Sequence, residues 1–338
     1  MSRSFLATTL AMIAVLAALP MLVGLFGLVQ ATLFISMAVL ALSQGFIWGY
    51  GGIMSFGQSA FFGLGGYAYA VAAINLGDST APFLLAILVP AAFAALLGYF
   101  MFYGRISDAY VGVITLTVTV ILFNVANSTA GDVWRIGQAE LGGFNGIPSV
   151  PPLNLPGAPD SPLGPAQLYG VAAALLVIVY VLLRGVLATR FGRVVVAIRE
   201  NETRAMLLGY DPRLYKTITF AIGGGIAGLA GCLFTNWGGF VSPTVFGLQQ
   251  AAQVIIYVLV GGLGTLLGPI LGAVAVQYLI TVIGTQLLFN ANLILGVVLL
   301  GFVLLVPQGV LPSLGALAQR LAALRVRPPA PPAVEAHR

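Results

Sequence analysis

Charge is what this sequence has least of. Of its 338 residues 14 are Lys or Arg and 9 are Asp or Glu, 7% in all, against roughly 25% in a soluble domain. Histidine and cysteine occur once each, which excludes the common zinc constellations and a Cys-His catalytic pair. Cys232 can form no disulfide within the chain, and in its apolar run it serves as a small apolar side chain. The only lysine, Lys216, follows Tyr215. The Gly-Lys-Ser/Thr of a phosphate loop is therefore missing, and this chain binds no ATP by that device. Glu200 and Glu202, the only close carboxylates, are expected on different faces of one helix, so they make no acid-base pair.

What remains is apolar. Hydrophobic residues make up 59% of the chain, and the mean hydropathy is +1.04, so the expected fold class is all-α, a polytopic transmembrane helical bundle. The net charge of +5 belongs to loops and tail and points to no nucleic acid. Windows of about twenty apolar residues place ten expected spans: 6–27, 31–49, 55–76, 82–103, 109–128, 167–187, 217–237, 245–263, 267–286 and 291–309. Two of them can be re-entrant without changing the sides. The apolar run from Phe5 to about Leu28 exceeds the roughly 7–15 residues of a cleaved signal core, so it reads as a retained first span. None of the ten carries an Asp, Glu, Lys or His in its middle, which argues against a proton-coupled carrier.

With the N-terminus in the cytoplasm every loop obeys the positive-inside rule. Residues 129–166 then form a long Gly- and Pro-rich outer loop, a lid or surface feature with little regular structure. Residues 1–310 make up the membrane domain, 188–216 a cytoplasmic segment within it, and 311–338 a Pro- and Arg-rich cytoplasmic tail that holds His337.

Half of the cations fall between Arg184 and Lys216: Arg184, Arg190, Arg193, Arg199, Arg204, Arg213 and Lys216, with Glu200, Glu202 and Asp211 among them. At the bilayer centre each Arg would cost roughly 2.5–3.5 kcal/mol, so the whole segment lies in water. Asn201 is the expected N-cap of a short helix through Leu208, and Gly209 ends it. Asp211 followed by Pro212 starts the next helix, which returns to the membrane. Ala205, Met206, Leu207 and Leu208 beside these charges suit contact with another protein; a solvated loop that merely obeys the positive-inside rule is the plainer alternative.

A second informative stretch is GGIMSFGQSAFFGLGGYAY, residues 51–69. Ser55, Gln58 and Ser59 offer uncharged hydrogen-bonding groups at membrane depth, and Gly63 and Gly66 allow close approach or local unwinding. Broken backbone of this kind lines transport paths, the favoured reading, while small-residue helix packing is the plainer alternative for the glycines. Gly262 and Gly264, in the stretch GGLGTLLGP, form a comparable junction. A weak repeat relates Gly51-Gly52-Ile53-Met54-Ser55 to Gly238-Gly239-Phe240-Val241-Ser242 at an offset of 187. On the assigned topology the two motifs face opposite sides, as in inverted repeats.

Three ordered motifs, RENETRAMLLGYD from Arg199 to Asp211, GGIMSFGQSAFFGLGGYA and GGLGTLLGPILGA, closely resemble those of LivM-type permeases of branched-chain amino acid ABC importers, over about residues 30–310. The resemblance implies a bacterial inner-membrane subunit that is not an enzyme and carries no cofactor or metal. Its implied partners are a homologous LivH-type permease, two ATPase subunits that bind the ATP, a periplasmic solute-binding protein and membrane lipid. It further implies that Arg199, Glu200, Asn201, Glu202, Arg204, Ala205, Gly209, Tyr210 and Asp211 form the coupling helix region that docks on an ATPase. Relatives carrying urea, short amides or polar amino acids are equally compatible with an uncharged path. A secondary carrier, a passive channel for a neutral solute and a scaffold are the rival classes.

Overall fold

The computed structural model describes residues 3–131, 133–284 and 296. The expected span 291–309, apart from Gly296, and the tail 311–338 with His337 lie outside the described residues. The helices in chain order are α1 (Arg3–Leu22), α2 (Leu25–Gly49), α3 (Gln58–Leu76), α4 (Thr80–Tyr103), α5 (Asp108–Ser128), α6 (Pro165–Ala188), α7 (Arg190–Glu200), α8 (Glu202–Leu207), α9 (Pro212–Gly238), α10 (Leu248–Gly261) and α11 (Leu267–Gly284). Eight of these described helices, all but α7, α8 and α10, are long and apolar enough to cross a membrane.

Two expected spans are corrected. The span 245–263 is a 3₁₀ turn, Pro243–Phe246, followed by the 14-residue α10, about 21 Å of helix against a hydrocarbon core of about 30 Å. The span 55–76 starts only at Gln58. Residues 51–57 ahead of it form no helix, yet Gly51, Ile53, Ser55 and Gly57 are buried.

At the centre lies α9, packed against α2, α3 and α4. Its glycines make this possible. A Cβ at Gly65 of α3 would overlap the backbone of Gly228, and one at Gly231 would overlap the carbonyl of Phe62. The two backbones meet directly, as small residues permit in membrane helix pairs.

An offset of 187 carries α2 onto 212–236, α3 onto 245–263 and the start of α4 onto Leu267, close to the observed α9, α10 and α11. The loop after α2 lies against Arg199, whereas the loop after α9 pairs Val241 with Ile147. These are opposite ends of the bundle, so the two units are inverted.

Residues 129–164 are more regular than a loose lid. They contain two antiparallel hairpins, β1 (Arg135–Ile136) with β2 (Ala139–Glu140) and β3 (Asn154–Leu155) with β4 (Ala158–Pro162). Side chains fasten them to the helix ends. Asn236 Oδ1 accepts from Leu153 N at 2.7 Å, Tyr69 OH donates to Pro151 O at 3.0 Å, and Asn154 Oδ1 accepts from Ser79 N at 2.7 Å. Buried backbone requires such partners, and short polar side chains at the helix ends supply them.

Candidate functional site

At the basic end of the bundle, α7, α8 and the first turns of α9 form a compact unit with a small core of its own: Val194, Ile198 and Ala205, covered by Tyr215. Each helix start is capped by a side chain. Thr189 accepts from Gly192 N at 3.3 Å, Asn201 Oδ1 from Arg204 N at 2.9 Å, and Asp211 Oδ1 from Arg213 N at 3.1 Å. The last two are the caps expected from the sequence. Gly209, at φ +88°, ends α8 in a conformation that a side chain would strain. Tyr210 then sets its ring edge-on to Tyr215, 6.0 Å between centroids.

One expectation fails here. Glu200 ends α7 and Glu202 begins α8, with extended Asn201 between them, so they do not share a helix. The cap at Asn201 starts a new helix axis and separates the two carboxylates. Around this turn Ala205 is buried, whereas Leu207 and Leu208 are 83% and 75% exposed beside Arg204. An apolar tip ringed by charge thus projects from the unit.

The two stretches singled out in the sequence meet in space. Arg199, at the end of α7, donates to the carbonyl of Gly49 and is paired with Glu200. Its side chain rests on Gly52, where a Cβ would stand 2.7 Å from Arg199 Cγ. The unwound segment 51–57 therefore sits directly on the basic unit.

Behind that segment is a buried cluster without charge. Gln44 Nε2 donates to Ser55 O at 2.9 Å, Gln58 Nε2 to Ser43 Oγ at 2.8 Å, and Ser43 Oγ to Gly223 O at 3.0 Å. Phe56 N donates to Thr115 Oγ1 at 3.1 Å. Gln44 Oε1, Gln58 Oε1 and Ser59 Oγ are fully buried and find no partner. Such groups are costly to leave unpaired, and they are suited to solvent or to a polar solute.

The glycines serve packing. Gly63 faces the ring of Phe246, and Gly66 faces Thr235 Oγ1. Gly262 and Gly264 form the tight turn between α10 and α11, and a Cβ on Gly49 would stand 3.1 Å from Gly264 N. Ser43, Gln44 and Thr115 join the cluster without having been singled out; the signal was a polar pair inside the apolar run of α2 and threonines at 115 and 119, one helical turn apart. Among the described residues no group of three or more His, Cys, Asp or Glu is placed to hold a metal ion.

Comparison with known proteins fits this arrangement. The family described as "Branched-chain amino acid transport system / permease component" matches residues 25–306. The LivM permease protein of the high-affinity branched-chain amino acid transport system of Salmonella typhimurium is 29% identical over 333 residues, 90% of this chain and 74% of that protein. Its Escherichia coli counterpart is 29% identical over 312 residues, 83% and 69%. The autoinducer 2 import permease LsrC of Salmonella choleraesuis is 36% identical over 124 residues, about a third of each chain. No solved structure matches significantly. The chain is a multi-pass membrane protein and belongs to the family of permease components of branched-chain amino acid transport systems.

Proposed function

We propose that the chain is the membrane permease subunit of an ABC importer of the bacterial inner membrane, and that it carries branched-chain amino acids. The observation that carries this reading is the contact of Arg199 with Gly49 and Gly52. It joins an exposed charged unit, suited to docking, to a break in the helices that is lined by buried uncharged polar groups. The basic end faces the cytoplasm, in keeping with its charge. There the segment from Arg199 to Asp211, with its apolar tip at Leu207 and Leu208, docks on one of two ATPase subunits that bind the ATP.

Closure of the ATPases moves this unit, and the segment 51–57 with Ser55, Gln58 and Ser59 changes access to the path. An uncharged lining suits a zwitterion that is carried without a proton. The hairpin end faces the periplasm and receives solute from a binding protein, and a homologous LivH-type permease completes the pair. The substrate assignment follows the names of the relatives; urea and short amides fit the same lining and are the competing solutes.

Reconstitution of the chain with its second permease, ATPases and binding protein tests the reading. ATP-dependent uptake of leucine, isoleucine or valine is expected, and Arg199→Glu or Gly209→Pro should abolish it while the chain still inserts. ATP-independent flux through the chain alone, or undiminished uptake in both variants, would overturn it.

A further inference from the structure

The only lysine of the chain joins three elements. Lys216 Nζ, on the first turns of α9, is 2.6 Å from Glu202 Oε2 at the start of α8 and 3.4 Å from Asp108 Oδ1 at the start of α5. Its side chain is only 13% exposed, against 44% and 66% for the two acids. Nearby Arg213 lies over the Tyr103 ring, 5.9 Å from its centroid. The cluster borders a hollow of about 450 Å³ that separates α8 from the α4–α5 turn and is lined also by Arg105 and Met206. Across that hollow, the ion pairs of Lys216 are the polar links from α8 to α5.

From Asp108, α5 runs past the broken segment. Two turns along, about 10 Å, Thr115 holds Phe56 N at 3.1 Å, and Gly112 lies against the Phe56 ring. Farther on, a second cavity of about 450 Å³ parts Leu122 and Val125 of α5 from Leu64 and Val71 of α3 and from Leu85 and Val89 of α4. The helix is thus held at its basic end and braced at Gly112 and Thr115, while Leu122, Phe123 and Ala126 of its far half pack against the core.

From this geometry we infer that Lys216 is the positioning residue that transmits displacement of α8 to α5, so that Thr115 shifts the segment 51–57. The inference rests on the importer reading above, because it takes α8 as the element that the ATPase moves. It assigns work to an ion-pair cluster outside the polar cluster.

The test uses the complete reconstituted importer with Lys216→Met, Lys216→Arg and Asp108→Asn. Lys216→Met is expected to lower ATP-driven uptake by about tenfold or more, the scale of typical coupling between sites, while solute-stimulated ATP hydrolysis persists. Lys216→Arg restores the uptake per ATP. Adding Asp108→Asn to Lys216→Met costs nothing further, as expected for two ends of one link.

Unchanged uptake per ATP in Lys216→Met would overturn the transmission while leaving the importer reading intact. Equal loss of hydrolysis and uptake that Lys216→Arg does not relieve would reduce Lys216 to a structural role. Absence of ATP-dependent uptake in the parent would overturn the importer reading first, and the transmission with it.

Discussion

Single atoms decide how closely the helices of this permease approach. Gly65 and Gly228 let α3 and α9 touch through their backbones, and the neighbouring Gly231 meets the carbonyl of Phe62. Neither contact can be relieved by a rotamer change, because the obstacle is main chain. Gly65→Val should therefore destabilise the bundle by about 1–3 kcal/mol or more, the usual cost of overpacking, and lower the thermal midpoint in detergent. A variant at exposed Gly170, where nothing lies within 4 Å of a Cβ, should leave the midpoint unchanged. Equal midpoints for the two would contradict the packing at α3 and α9. Gly63 shows why a glycine in a sequence is ambiguous: it allows an unwound path or a close ring, and only the position of Phe246 selects the second.

At the scale of elements, the segment 129–164 behaves as a fastened cap. Its tie to the α3–α4 turn passes through Asn154, whose Nδ2 donates to Asp78 Oδ1 at 2.8 Å while its Oδ1 accepts from Ser79 N. The hydrogen bond from Asn154, followed by that from Thr80, holds the Asp78 carboxyl below its ordinary pKa. A carboxylate with a depressed folded-state pKa stabilises the fold above its unfolded pKa, about 3.9, and that contribution is lost as the pH falls through the folded value. Protease cleavage within 155–161 should accordingly rise on acidification below about pH 4 in the parent. Asn154→Ala should raise cleavage at neutral pH and flatten its pH dependence. Equal cleavage of the two proteins at every pH would show that the tie does not hold the hairpin.

Across the whole molecule, the inverted halves place the unit from α7 to the start of α9 at one end and the hairpins at the other. An impermeant maleimide applied to intact cells should label Trp134→Cys without permeabilisation and Leu207→Cys only after it; both positions are exposed, and Cys232 is buried. Labelling of both from one side would contradict the inverted arrangement and, with it, the docking of α8 on a cytoplasmic motor. Much of this plan is legible along the chain, because hydropathy, charge and caps are local properties. The spacing of 187 already aligns α2 with α9, and Asn201 and Asp211 mark helix starts where they are found.

By itself the sequence determined the membrane class, the placing of seven cations in one aqueous segment, the lack of a Gly-Lys-Ser/Thr phosphate loop and the capped turns of that segment. Each follows from transfer energies or from hydrogen bonds between near neighbours. Tertiary structure alone decided that Arg199 rests on Gly52, that Gln44 and Gln58 meet Ser55 and Ser43, that α10 is too short to cross, and that Lys216 ties α8 to α5. Those contacts join residues far apart in the chain, up to 150 positions for Arg199 with Gly49. No local periodicity encodes them; they exist only once the helices have packed against one another.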